Sequence, residues 1–198
     1  MTAFAHETVS RTPRYHGAIF DVVSDQVTMS GGGTVNRDVV QAKSAVGVVA
    51  IDDMDRVVLI RQYRHAVGGY LWELPAGLRD VTGENLVTGA ARELAEEADL
   101  NAGRYDLLID LHTSPGFTDE KIRIFLARDL SEVPAEQRHV RTDEEADLEI
   151  TWVDLDEALA MISRGEITNA AAVGGLLAAA RARDEGWATL RPVETPEP

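Results

Sequence analysis

The chain has 198 residues, 44% of them hydrophobic and 27% charged, which suits one globular domain with a small appendage and is enough to bury a core. Acidic residues number 34 against 19 Lys plus Arg, a net charge of −15 that argues against nucleic-acid and anionic-membrane partners, since both attract a basic face. Cysteine is absent, which excludes a disulfide framework, a thiol nucleophile and Cys-ligated zinc. The N-terminus has no basic stretch followed by an apolar one, and the most apolar runs, 45–51 and 170–180, are too short to span a bilayer. A soluble cytoplasmic protein is the expectation.

In chain order, residues 16–23 and 25–29 read as two short strands, Ser30-Gly31-Gly32-Gly33 as a turn, and 34–40 as a third strand. This antiparallel meander is too small to stand alone and must lean on the main domain or on a partner subunit. From residue 45 the pattern is α+β. Residues 45–51 form a continuous apolar run, hence a buried strand, and a turn at 52–55 leads into a strand over 56–63. A short strand over 70–74 stops at Pro75. Apolar residues at 86, 87, 90, 91, 94 and 98 have helical spacing. Strands are expected over 106–112, 121–127 and 149–153. Asp154 is placed to cap a helix over 155–163, and a last helix covers 170–182. The end of the chain, with Pro192, Pro196 and Pro198, is expected to be a mobile tail.

The chemistry is concentrated in Gly77-Leu-Arg-Asp-Val-Thr-Gly-Glu84, followed after seven residues by Arg92-Glu93-Leu94-Ala95-Glu96-Glu97-Ala98-Asp99-Leu100. On a helix, Glu96 and Glu97 lie three and four positions after Glu93, so the three carboxylates share one side. Ala91, Leu94 and Ala98 take another side, which can pack on a sheet. Like charges so spaced repel by roughly 0.2–0.5 kcal/mol per pair, and one arginine cannot neutralise four glutamates. Such a cluster is expected to bind a hard cation such as Mg²⁺, which would also reconcile this acidic chain with a phosphate-bearing substrate. An isolated charge run is usually only a solvated face. Five prescribed residues, however, arise by chance in about one chain in 10³–10⁴ of this length, so the whole pattern carries more weight than the cluster.

The pattern resembles the Nudix box: a glycine, then a glutamate, then Arg-Glu-hydrophobic-x-Glu-Glu-x-Gly-hydrophobic. It departs from the box twice. One extra residue lies between Gly77 and Glu84, and Asp99 replaces the late glycine, whose use is a positive-φ helix cap that Asp tolerates better than most residues. The resemblance implies an α/β fold, the Nudix α/β/α sandwich with a mixed sheet, over residues 44–188. A small antiparallel β unit at 1–43 precedes it and the tail at 189–198 follows. By position it implies Glu93 and Glu97 as the main metal ligands and Glu96 as a third. The backbone carbonyl of Ala76 completes the site, and Arg92 and Glu84 orient the carboxylates. The implied cofactor is Mg²⁺, two or three ions per site, with Mn²⁺ as a possible substitute.

Three further features resemble the ADP-ribose pyrophosphatase branch of this family. Pro115, in Thr113-Ser-Pro-Gly-Phe-Thr-Asp-Glu120, lies fifteen residues beyond the box, about where that branch keeps a marker proline. Gln62-Tyr63-Arg64 matches a strand end whose arginine meets a phosphate. The N-terminal meander, with Phe20 and Arg37, matches the segment that holds adenine. Alone, Pro115-Gly116 is a common turn and Phe20 suits core packing equally well. The branch also implies Leu78, Ser114, Gly116 and Glu120 as substrate-binding positions. In this family the general base sits on a loop after the box, and Asp143-Glu144-Glu145-Ala146-Asp147 is such a run. Glu145 is favoured over Glu144 by little, with His139 a weaker candidate. His65 and His112 read as ordinary. The implied activity is Mg²⁺-dependent hydrolysis of the diphosphate bridge of ADP-ribose to AMP and ribose 5-phosphate. It would take place in a homodimer whose N-terminal units are exchanged, so that Arg37 serves the partner's site. Two other readings stand: a Nudix hydrolase of another nucleoside diphosphate sugar, and a non-catalytic Nudix-like domain that senses ADP-ribose. The intact glutamates and the lack of room for an effector domain weigh against the sensor.

Overall fold

In the computed structural model, which describes residues 6–79, 83–141 and 147–198, the chain starts with strand β1 (Thr8–His16), exposed at every position. Its sequence has no apolar alternation and contains Pro13, which suits an edge strand. The strand therefore rests on backbone pairing with β2 (Phe20–Thr28) and not on burial, which is why hydrophobic patterning misses it. Strand β2 joins the later part of the first expected strand (20–23) to most of the second (25–28), while His16 ends β1. The chain turns just before it, where Gly17 N–H donates to the Phe20 carbonyl at 3.1 Å. The expected glycine turn does connect β2 to β3 (Thr34–Ala42), with Gly32 at φ 82° and Met29 N–H bonded to Gly33 O. Residues 112–121 cluster with this three-stranded unit. Val40 N–H donates to Phe117 O, and the Asp119 carboxylate accepts from Ala42 N–H. Among the described residues of this unit only Val23 and Asp25 are buried, the latter paired with Arg11 at 2.7 Å.

The larger unit comprises residues 45–111 and 122–198. In chain order its elements are β4 (Ala45–Ala50), β5 (Arg56–Arg64), β6 (Gly69–Glu73), β7 (Ala76–Leu78), α1 (Leu86–Ala98), β8 (Leu100–His112), β9 (Lys121–Glu132), β10 (Glu149–Asp154), α2 (Leu155–Ser163) and α3 (Ala170–Asp184). One sheet has the order β10-β5-β6, all antiparallel. The other has the order β7-β4-β9-β8 and is mixed, β4 running antiparallel to β7 and parallel to β9. Alternate residues of β4 enter two cores. Val46, Val48 and Ala50 pack with Ala90, Leu94 and Ala98 of α1. Val49 and the following Ile51 pack with Leu155 and Ala158 of α2 and Ala172, Leu176 and Ala179 of α3. In β9, Phe125 and Ala127 split from Ile124 and Leu126 in the same way. Helices thus cover both faces, giving the expected α/β/α sandwich with a mixed sheet. Burial on both faces is what makes 45–51 an unbroken apolar run, and each such Val, Ile or Leu contributes about 1.5–3 kcal/mol.

Further local expectations differ from the structure, among them the end of β9, which runs to Glu132 and not only to 127. Strand β8 begins at Leu100, well before 106, because its first half pairs at the sheet edge with several exposed side chains. Asp154 occupies the N-cap of α2 but makes no side-chain capping bond; instead Leu155 N–H is taken by Asp55 O at 2.9 Å. The end of the chain, expected to be a mobile tail, is hydrogen-bonded to the sheet. Leu107 and Arg191 exchange backbone bonds of 2.8 and 3.1 Å, and the buried guanidinium of Arg123 donates to Thr195 O and Pro196 O. Satisfying that buried charge requires the tail's carbonyls beside Asp110. Among the described residues no helix is long and apolar enough to cross a membrane.

Candidate active site and metal centre

The site is built where α1 meets β7. Asn85 starts the helix by accepting the Val87 N–H, and Asp99 ends it in the left-handed conformation (φ 55°, ψ 32°) with its N–H on Leu94 O. Asp therefore serves as the cap for which glycine is the usual choice. Ala90, Leu94 and Ala98, spaced by four, dock the helix. Glu93 and Glu97 border that stripe and are carried into the interface. They are only 8% and 5% exposed, so they do not form the solvent-facing side that helical spacing alone allows. Glu97 Oε2 accepts the Ala76 N–H at 2.8 Å. The carboxylate of Glu93 lies against Gly77, where a Cβ would come within 2.2 Å of it. The missing side chain of Gly77 is what leaves room for that carboxylate.

Arg92 gathers the other glutamates. Its Nη1 lies 2.7 Å from Glu93 Oε1 and 3.1 Å from Glu96 Oε2, and its Nη2 lies 3.5 Å from Glu84 Oε2. Burial opposes the charge of Arg92, but the Glu84 hydrogen bond and the charges of Glu93, Glu96 and Glu84 outweigh it, so its pKa lies above the ordinary arginine value. Glu96, expected as a third metal ligand, is turned toward Arg92 and is more exposed than Glu93 or Glu97.

Among the described residues no three His, Cys, Asp or Glu side chains gather into a ready metal cage. The donors present are two buried carboxylates beside the Ala76 backbone. That set fits Mg²⁺, which takes hard oxygen ligands, keeps several waters and needs only one or two carboxylates when substrate phosphates complete its shell.

At the end of β5, Arg64 donates from Nε and Nη2 to the buried carboxylate of Glu73, at 3.0 and 2.6 Å. Gln62 Nε2 donates to the same carboxylate at 3.3 Å. Glu73 carried no expected role, and a lone charge in the apolar stretch Leu71-Trp72-Glu73-Leu74 was the signal for it. Leu78 is half-buried at the end of β7, opposite Ala45. Tyr63 packs edge-on against Tyr70 and lies 3.4 Å from His65 Nδ1.

The remaining substrate-binding candidates belong to the smaller unit. Phe20 is exposed at the start of β2 with its ring beside Tyr15, which weighs against core packing. Arg37 is exposed on β3. Ser114 O accepts from Phe117 N–H and Thr118 N–H around Gly116, and Glu120 Oε2 accepts the Thr113 hydroxyl at 2.6 Å. The metal-ligand candidates, Arg64 and Leu78 thus sit in one unit, and Phe20, Arg37, Ser114, Gly116 and Glu120 in the other. Glu144 and Glu145, the candidates for the base, lie outside the described residues. His112 and His139 are exposed.

The NUDIX domain model matches residues 42–172. The chain is 47% identical over 189 residues to ADP-ribose pyrophosphatase of Mycobacterium tuberculosis, covering 96% of this chain and 89% of that protein. It is 31% identical over 170 residues to ADP-ribose pyrophosphatase of Bacillus subtilis, covering 86% and 90%. A crystal structure of an ADP compounds hydrolase matches with a TM-score of 0.78 at 24% identity, covering 94% of this chain and 98% of that one; at that identity the likeness speaks for the fold alone. On the family match, the identity to these relatives and the glutamate helix docked against β7, the chain belongs to the NUDIX domain family.

Proposed function

We propose that this chain hydrolyses the diphosphate bridge of ADP-ribose, giving AMP and ribose 5-phosphate. The observation that carries this reading is the buried pair Glu93 and Glu97 set against Ala76 and Gly77, in a chain whose relatives in M. tuberculosis and B. subtilis bear that enzyme's name. Glu93, Glu97 and the Ala76 carbonyl hold Mg²⁺ with Glu96 as a further donor. The site takes two or three ions, and Mn²⁺ is a workable substitute because it also favours oxygen ligands. The bound cation supplies charge neutralisation for the diphosphate and acidifies the attacking water. Arg92 and Glu84 hold the carboxylates in place.

Glu73 engages two of the five donors of Arg64 and sets the plane of its guanidinium for a phosphate. Leu78, next to Gly77, packs on the substrate. Glu145 takes the proton from the attacking water, with Glu144 as the alternative. Phe20 and Arg37 hold the adenine, and Ser114, Gly116 and Glu120 also bind the substrate, in a homodimer whose N-terminal units (1–43) cross to the partner's hydrolase domain (44–188). The setting is cytoplasmic and the substrate a small nucleotide, in keeping with a charge of −15 that repels nucleic acid and anionic membranes. A panel of nucleoside diphosphate compounds with Mg²⁺, with products identified by chromatography, tests the reading. ADP-ribose is expected to show the highest kcat/KM and to give AMP. A higher kcat/KM for another nucleoside diphosphate sugar, or no turnover of any compound, overturns it.

A further inference from the structure

We propose that Asp99 and Arg141 are positioning residues whose ion pair fixes the last turn of α1 and, with it, the carboxylates of Glu96 and Glu97. The proposal rests on the metal-site reading above. The last carbonyls of a helix lack partners within it, and α1 has no basic residue in its own last turn. Arg141 supplies one from a distant part of the chain: its Nε donates to the Glu96 carbonyl at 3.1 Å. Its Nη2 meets Asp99 Oδ2 at 2.9 Å, with the two side chains only 20% and 16% exposed.

The cap itself does not need this carboxylate. Backbone groups do the capping, with the Asp99 N–H on Leu94 O and the Asp99 carbonyl accepting Val133 N–H at 2.8 Å. Glycine or asparagine would serve equally well. What aspartate adds is the charge that seats Arg141 on the Glu96 backbone. The final turn is then held from two directions, by Ala76 N–H on the Glu97 carboxylate and by Arg141 on the Glu96 carbonyl.

The pair is a poor device for stability. Among the described residues, Asp99 Oδ1 and Arg141 Nη2 are buried without a well-formed hydrogen bond, although Nη2 keeps its ion-pair contact with Oδ2, so the desolvation of both charges is offset by contact rather than by a complete network. Its effect is therefore expected in the placement of the ligands more than in the melting temperature.

The test uses the full chain and three readouts: Mn²⁺ binding by calorimetry without substrate, kcat and KM for ADP-ribose with Mg²⁺, and melting temperature. Arg141→Met keeps the apolar stem and removes the charge, whereas Asp99→Asn keeps a residue that tolerates the left-handed turn. Each is expected to raise the Kd for Mn²⁺ about fivefold and lower kcat about tenfold, with KM within about twofold. Arg141→Lys, which reaches one of the two partners, is expected to fall between. The double variant should be no worse than the worse single one, because the two residues act as a unit. A folded Arg141→Met or Asp99→Asn protein with Mn²⁺ affinity and kcat within twofold of wild type overturns the proposal, whatever its melting temperature. If Arg141→Met does not fold, Asp99→Asn decides. A wild-type chain that binds no Mn²⁺ removes the metal-site reading as well, whereas Mn²⁺ binding and kcat that are both equal in wild type and variants remove the positioning pair alone.

Discussion

Gly77→Ala asks whether the chemistry depends on the contact between β7 and Glu93. The added Cβ would lie 2.2 Å from Cδ and Oε1 of Glu93 and 2.5 Å from Oε2, whereas ordinary contacts begin at 3.4 Å. The carboxylate must therefore retreat by about 1.2 Å, and a displacement of this size in a reacting group costs on the order of 10²-fold. The side chain can move more easily than backbone, although Glu93 is buried and paired with Arg92 at 2.7 Å. An off-rotamer carboxylate costs about 0.5–1.5 kcal/mol, so the protein should still fold, with a modest loss of melting temperature. A hundredfold drop in kcat/KM corresponds to about 2.7 kcal/mol of lost transition-state stabilisation. The assay is steady-state turnover of ADP-ribose across a Mg²⁺ titration, with thermal melting followed by circular dichroism. Gly69→Ala is the control, since a Cβ there meets nothing within 4 Å and its φ is not positive; it should match wild type. A folded Gly77→Ala enzyme with kcat/KM within threefold of wild type and the same Mg²⁺ requirement would show that Glu93 does not stand where the reaction occurs.

Glu97→Gln should fold, because its side-chain oxygen still accepts the Ala76 N–H and a buried like charge is removed. Turnover should nevertheless fall by orders of magnitude, and near wild-type turnover with Mg²⁺ would end the ligand assignment. Mixing inactive Arg37→Ala and Glu93→Gln subunits should restore activity to about a quarter of wild-type sites if Arg37 serves the partner's site, given random pairing and independent sites. A mixture that stays inactive places Arg37 in its own subunit's site or outside any site. Asp106 has a lowered pKa: burial acts to raise it, but hydrogen bonds from Arg128 and Arg104 and their charges prevail. A carboxylate depressed in the folded state adds stability above its unfolded pKa, about 3.9, and loses it as pH falls through the lower folded value. The melting-temperature gap between wild type and Asp106→Asn should therefore narrow from about pH 5 to about pH 3; a constant gap means the Arg104 and Arg128 pairs carry no net stability.

Much of the fold was open to sequence reasoning where a local rule and the tertiary environment agree. Helix α1 lies over 86–98 as its apolar spacing requires, because Leu86, Val87, Ala90, Leu94 and Ala98 join the core beside the sheet, whereas Ala91 does not. The unbroken apolar run at 45–51 marked a strand covered on both faces. Asp99 in a left-handed cap followed from its tolerance of positive φ. Strand β1 was not legible, since all nine of its residues are exposed and backbone pairing alone defines it. Nor was the docking of the tail, which depends on what a buried arginine on β9 needs for partners.

For the candidate site, the sequence by itself determined that Glu93, Glu96 and Glu97 share a helix side, because a helix has a fixed angle per residue and side-chain direction follows from spacing. Only the tertiary structure decided which of them is covered. Burial of Glu93 and Glu97 depends on β7 running alongside α1 with a glycine at the point of contact. The linking of Arg64 to Glu73 and of Arg141 to Asp99 depends on segments that meet through strand pairing and helix docking. Periodicity describes one element at a time, whereas the partner of a buried charge is chosen by which other element arrives beside it.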